Sequence, residues 1–273
     1  MKLAELGPGW ETDFFLHRED ALVSECDDCI VVRTPSSPSF YWGNCLLLPA
    51  PPADAELAHW LQRFEAEIGA LQPQSSHVAI GINAVTAPPS LPSWEAAGFE
   101  HGEYAVLELR PDGLEAPVRA ARGRIEVREL DIEAELPALV DLHLSTRDGF
   151  DEAGYRLHRE QQMRRYARMA REGRAAWFGL WCDGVLAADC GLVRDGKLGR
   201  FQRVAVHPDW RRLGLASALV HAVSAHGFER LGLRLIRMCA DPLDVAIGIY
   251  RSLGYRQVAS EWWIERRAPQ DRK

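Results

Sequence analysis

Two Asp-Gly pairs, Asp183-Gly184 and Asp195-Gly196, punctuate three consecutive apolar runs at residues 175–182, 185–194 and 197–206. Asp-Gly favours the positive backbone angles of tight hairpin turns, so the runs are expected to fold back on one another as an antiparallel meander. Residues 211–230 then place Ala216, Leu219, Val220 and Val223 at the i, i+3, i+4, i+7 positions of a buried helical face. Residues 233–239 read as a short strand, 244–253 as a helix stopped by Gly254, and 255–264 as closing strand material. Upstream of the meander, residues 125–130 alternate as a half-buried strand does. Residues 132–144 carry Leu136, Leu139, Val140 and His143 on one helical face, and a charged helix is expected over 152–172. The expected class is α/β of the α+β kind, a mixed, mostly antiparallel sheet flanked by helices.

A chain of 273 residues suits two domains. The segment Arg110-Pro111-Asp112-Gly113-Leu114-Glu115-Ala116-Pro117 gathers turn formers between strand-like stretches, which places a boundary near 112–124 and gives domains of 1–118 and 124–273. The first half repeats the grammar loosely, with a strand at 45–48, a helix over 53–71 and a strand at 77–83. Trp94-Glu95-Ala96-Ala97-Gly98-Phe99 echoes Tyr250-Arg251-Ser252-Leu253-Gly254-Tyr255, each with an aromatic residue four before Gly and another just after it.

A net charge of −7 argues against a polyanion binder, so no nucleic-acid partner is expected. With 47% hydrophobic and 26% charged residues, the chain can bury a core. No stretch approaches the roughly 20 apolar residues of a membrane span, and Met1 to Trp10 has no signal-like apolar run; a cytoplasmic protein without membrane partners is expected. The six cysteines suit reduced thiols. Cys26 and Cys29 have CxxC spacing, but a zinc site needs a second half-site that the sequence does not offer, so no metal is expected.

The chemistry centres on Arg211-Arg212-Leu213-Gly214-Leu215-Ala216, which follows the strand ending at Val206 and the turn His207-Pro208-Asp209, and opens an amphipathic helix. The first N–H groups of a helix lack internal partners and sit at the positive end of its dipole, so a phosphate can bind there. Gly214 would let the ligand approach the backbone and Ala216 keeps the next turn thin, while Ser217 could add a hydroxyl. Arg203, Arg211 and Arg212 supply local positive charge; two cations at a helix start are unfavourable unless an anion is present.

The run Val206-His207-Pro208 followed by Arg211 to Ala216 resembles the main motif of the GNAT superfamily of acetyltransferases. The resemblance extends from about residue 125 to 266 and includes Tyr250, Gly254 and Tyr255, and the first half looks like a degenerate second copy. It implies the acyl-CoA N-acyltransferase fold in two tandem domains, with acetyl-CoA (coenzyme A) bound by Val204, Ala205, Val206, Arg211, Arg212, Leu213, Gly214, Leu215, Ala216 and Ser217. It also implies a strand that splays at Val204 to Val206, the Val206 N–H serving the developing oxyanion, and Tyr250 protonating the departing thiolate. The implied activity is acetyl transfer to a primary amine, on a small molecule or a peptide, by direct attack in a ternary complex.

A noncatalytic acyl-CoA-binding or partner-binding module is the rival reading, because no carboxylate marks a base: Gln202 stands on the strand before the loop, and Gln cannot act as one. Leu243 also departs from the Asn that many family members carry seven residues before this tyrosine. His207 reads as a turn residue, and His221 and His226, five apart, as surface histidines. Asp141, Asp148, Asp151 and Glu152 could select a cationic amine, though a solvated charged face accounts for them as well.

Overall fold

The computed structural model describes residues 1–17, 20–147 and 149–271, so Asp148 lies outside the described residues. Two compact units divide the chain: Met1–Val106 with Ala259–Lys273, and Leu107–Val258. The first contains α1 (Pro8–His17), β1 (Leu22–Glu25), β2 (Ile30–Arg33), β3 (Cys45–Leu48), α2 (Leu57–Phe64), β4 (Val78–Ile82), α3 (Pro92–Ala96) and most of β5 (Glu100–Leu109). Strands β1, β2 and β3 are successively antiparallel, and β3 pairs parallel with β4. β3 is buried along its whole length because a helix-bearing layer covers each face. Leu46 and Leu48 join a cluster with Trp60, Phe64, Ile68 and Trp94, whereas Cys45 and Leu47 join Trp10, Phe14 and Ile30. The two-residue period of a strand makes that division.

The second unit contains β6 (Ile125–Glu129), α4 (Leu136–Leu144), α5 (Glu152–Arg171), β7 (Ala175–Cys182), β8 (Val185–Asp195), β9 (Leu198–Val206), α6 (Leu215–Glu229), β10 (Leu235–Ala240) and α7 (Ala246–Ser252). β7 to β9 form the expected meander, each strand antiparallel to the next; β6 joins it antiparallel to β7, and β10 pairs parallel with β9. The first turn is built as the sequence indicates, with Cys182 opposite Val185 and positive φ at both Asp183 and Gly184. In the second, Asp195 pairs with Leu198, so Gly196 and Lys197 form the turn and only Gly196 takes a positive φ, +56°. That pattern is the other twist-compatible hairpin turn.

The units divide near residues 106 and 258, not at the 118–124 break read from composition. The last strand, β11 (Arg256–Arg266), starts in the second unit and ends in the first, where Trp262 to Arg266 pair antiparallel with Ile82 to Val78. The turn-rich segment after Arg110 is held by backbone bonds within the second unit. Glu115 N–H donates to Leu253 O at 3.1 Å and Arg122 N–H to Leu213 O at 2.9 Å. Turn formers mark where a chain bends; they do not mark where a unit ends.

The echoed hexapeptides close their helices with the same hydrogen bonds. Phe99 N–H donates to Trp94 O at 3.0 Å and Tyr255 N–H to Tyr250 O at 3.2 Å, with Gly98 at φ +82° and Gly254 at φ +96°. A Cβ on Gly254 would also lie 1.8 Å from Gly113 O. Left-handed backbone alone costs a non-glycine residue about 1–2 kcal/mol, so Gly254→Ala is expected to destabilise the protein by more than that amount in urea unfolding. Gly98→Ala, where a Cβ meets nothing within 4 Å, should show only the backbone cost.

Candidate active site

Between β9 and α6 the chain makes a short 3-10 turn at Pro208–Trp210, in which the His207 ring nitrogen accepts the Asp209 N–H at 3.3 Å. Arg211 is extended, Arg212 has φ +63° and Gly214 has φ +81°. The helix starts at Leu215, so the two arginines stand in the loop and not in the first helical turn as expected. Both are exposed, and Arg212 forms no hydrogen bond or ion pair among the described residues. Gly214 is the N-cap of α6 and supplies no side-chain cap, so the orphan N–H groups of the first turn stay available to an anion.

Beside the expected ligand approach, glycine at 214 has a cause within the chain itself. Besides its left-handed φ, a Cβ there would lie 3.2 Å from Ala121 Cα. The 113–122 segment crosses at this point, and its Arg122 N–H takes the Leu213 carbonyl.

Val204, Ala205, Val206, Arg211, Arg212, Gly214, Leu215, Ala216, Ser217 and Tyr250 all line one cavity of about 680 Å³, and Leu213 does not. Thr146, Arg203, Trp210, Asp244, Val245, Ala246 and Ile249 complete its wall. Of these, Arg203 was noted in the sequence for its charge alone, and the others carry no local signal. They reach the wall through tertiary contacts.

β9 is the element that shapes this wall. It pairs with β8 along nearly its whole length, but its register with β10 covers only Leu198, Gly199 and Arg200. The expected splay beyond that point is present. His207 N–H donates to Ala187 O at 2.9 Å, which makes Ala188 and Val206 a non-hydrogen-bonded pair in the alternating antiparallel pattern. The Val206 N–H therefore points away from β8, toward the splayed side. A bulge sets the register: Asp189 pairs with Ala205 and Gly191 with Gln202, leaving Cys190 opposite Arg203 and Val204. Arg203 takes φ +39° there.

Tyr250 is 8% exposed on α7. Burial, then the neighbouring Cys190 and Asp244, push its phenol well above the usual value, so it carries its proton at neutral pH. Asp244 is the one carboxylate on the cavity wall among the described residues, and its Oδ1 accepts the Ala246 N–H at 2.8 Å at the start of α7. Leu243 beside it is 92% exposed.

Three of the four acidic residues considered for amine selection are engaged elsewhere. Asp141 pairs with Arg156 at 3.1 Å, Glu152 with Arg147 at 3.3 Å, and Asp151 caps α5 through the Gly154 N–H at 2.7 Å. Beneath them lies a buried dyad that the sequence did not reveal. His143 Nε2 is 2.7 Å from Asp189 Oδ2, which also accepts the Trp177 indole N–H at 2.7 Å. The Arg159 Nε–H donates to His143 Nδ1 at 3.1 Å. Nδ1 must then be the unprotonated nitrogen and Nε2–H the donor to Asp189, so His143 has no nitrogen left to accept a proton from an amine. In the first unit, Cys26, Asp28 and Cys29 bring three donors within 4.8 Å of one another. Burial pushes the Cys29 thiol up to about 12, and Asp28 faces Arg63 at 3.5 Å.

Residues 173–257 match the family model described as an acetyltransferase (GNAT) domain. The second unit carries a GNAT domain. None of the curated proteins matches the chain. Among solved structures, a functionally unknown conserved protein from Staphylococcus epidermidis ATCC 12228 aligns with a TM-score of 0.72 at 15% identity, over 90% of this chain and 94% of that one. A GCN5-related N-acetyltransferase from Kribbella flavida aligns with a TM-score of 0.61 at 14% identity, over 95% and 96%. A tandem GNAT protein from the clavulanic acid biosynthesis pathway aligns with a TM-score of 0.53 at 14% identity, over 88% and 78%. At these identities the likeness is one of fold: the GNAT acyl-CoA N-acyltransferase fold.

Burial pushes His143 from 6.5 down to about 4, and it does the same to His77, whose ring stacks on Tyr41 at 4.1 Å. Both are neutral in the folded protein while their unfolded counterparts take a proton below about 6.5. Their stabilising contribution is complete above that value and is lost as the pH falls toward 4. The thermal midpoint is expected to fall over this window, and His77→Gln should flatten the profile relative to the native protein.

Proposed function

We propose that the second unit transfers an acetyl group from acetyl-CoA to a primary amine. The observation that carries this reading is one cavity that joins an uncapped helix N-terminus to a splayed strand and a buried phenol. The residues fit the coenzyme. Gly214 holds the left-handed turn that opens the first N–H groups of α6, Arg211 and Arg212 stand exposed beside them, and Val204, Val206, Ile249 and Trp210 give an apolar wall toward Tyr250.

Acetyl-CoA supplies the thioester carbon that the amine attacks. The Val206 N–H, directed to the splayed side, donates to the carbonyl oxygen as negative charge builds on it. As the nitrogen–carbon bond forms and the carbon–sulfur bond breaks, Tyr250 gives its phenolic proton to the sulfur. The amine surrenders its own proton to solvent in the open cavity, consistent with a wall whose single described carboxylate is tied to the α7 backbone. Holding both reactants in one cavity makes attack effectively unimolecular.

The first unit is read as a degenerate GNAT-like copy. Its β3–α2–β4–α3–β5 order matches β9–α6–β10–α7–β11, each with a parallel strand pair and the same helix-closing turn. Trp94 occupies the position of Tyr250 and is fully buried, so that copy offers no phenol.

Tyr250→Phe is expected to lower kcat by roughly a hundredfold or more while calorimetric affinity for acetyl-CoA stays within twofold. Unchanged turnover would remove Tyr250 from the mechanism. Gly214→Val forces a branched side chain into a left-handed turn against Ala121, and is expected to abolish detectable CoA binding. Normal binding isotherms in a folded variant would refute the loop assignment.

A further inference from the structure

A cluster of cationic side chains gathers around Arg203. Arg203 lines the cavity, and its guanidinium stands 5.9 Å from the centre of the Tyr155 ring, as does that of Arg159. Arg159 is 5% exposed; its Nε–H goes to His143, one terminal nitrogen goes to Gln162, and the other, Nη2, has no partner. Arg203 donates from Nη2 to Thr146 Oγ1 at 2.5 Å, and its buried Nε also lacks a partner. Gln202 Nε2, on the adjacent residue of β9, is a third buried donor without one.

The charges of this cluster do not cancel. Asp189 is its carboxylate, and the oxygen of Asp189 that is bonded serves His143 and Trp177. Proximity to Arg203 and burial push even the Arg159 guanidinium down to about 10, burial being the larger cause. Burial, then Arg159, Arg165 and Arg203, push His158 down to about 3. A buried cation without a counter-ion costs several kcal/mol in the folded state, and unpartnered buried donors cost more. An anion supplied by a ligand would offset both.

The position indicates which ligand. Arg203 precedes Val206 by three residues, one of them absorbed by the bulge, which puts it about 7 Å away along the strand, and the Arg211–Ala216 loop lies beyond Val206 in the other direction. An anion at Arg203 is therefore on the acceptor side of the acyl carbon. We propose that Arg203 binds a carboxylate of the acceptor, in the field of Arg159, so that the substrate is an amine carrying a carboxylate a few bonds away: an amino acid or a close relative. This rests on the acetyl-transfer reading above and narrows it. The left-handed bulge at Arg203 is the device that aims the guanidinium, because non-glycine residues take such a φ only where surrounding structure enforces it.

The test uses the full chain with acetyl-CoA and a panel of paired amines: the α-amino acids, β-alanine and γ-aminobutyrate, each beside the amine left when its carboxylate is removed. Thiol release reads transfer, and calorimetry on CoA-loaded protein reads amine binding separately. Carboxylate-bearing members are expected to be acetylated, and Arg203→Gln to raise their KM by about ten- to a hundredfold with CoA affinity unchanged. Arg203→Lys, which keeps charge but loses the fork, should recover part of that loss. Equal rates for the decarboxylated partners would overturn the proposal and leave acetyl transfer standing. So would an Arg203→Gln variant that weakens CoA binding instead, since the anion would then belong to the coenzyme. If nothing is acetylated but carboxylates bind in an Arg203-dependent way, the site stands and acetyl transfer fails. If no panel member binds or reacts, the carboxylate site is rejected.

Discussion

The second unit depends on one asymmetry in β9. On its β8 side the strand is paired from end to end apart from one bulge; on its β10 side the register stops after Arg200. A strand that abandons one neighbour exposes backbone groups that must find partners elsewhere. The same departure opens the cavity, directs the Val206 N–H into it, and lets α6 begin where β9 ends. Tyr250 and the Arg211–Ala216 loop sit on either side of that gap because α6 and α7 follow the two strands that part.

The bulge opposite Cys190 sets how the strand meets its other neighbour. One extra residue re-registers everything toward the N-terminus of β9, so Gln202 faces Gly191 and Asp189 faces Ala205. Asp189 is fully buried, held by His143 and Trp177, and this links α4 to β8 with a hydrogen bond. Such a network specifies one arrangement of α4 over the sheet, because any shift would strand a charge.

Much of this was legible in the sequence, for reasons of range. The meander, its first turn and the helix after the loop follow from neighbours a few residues apart. Features decided by distant partners were not legible. Gly214 is required partly by Ala121, some ninety residues earlier; the unit boundary at 258 follows from the pairing of Trp262 with Ile82; and the His143–Asp189 dyad needs two elements 46 residues apart. Arg203 was visible as a charge, but its left-handed φ depends on the register of β8 and β9. Leu213 was assigned to the coenzyme by motif, and the bond its carbonyl accepts from the Arg122 N–H was not foreseen.

That segment spans two ends of the second unit, touching Leu253 just after α7 and Leu213 just before α6. Both attachments are main chain to main chain. Side-chain identity between Glu115 and Arg122 is therefore free to drift, while the number of residues is not: it works as a ruler, whose length sets the gauge between the two ends and whose lettering is immaterial.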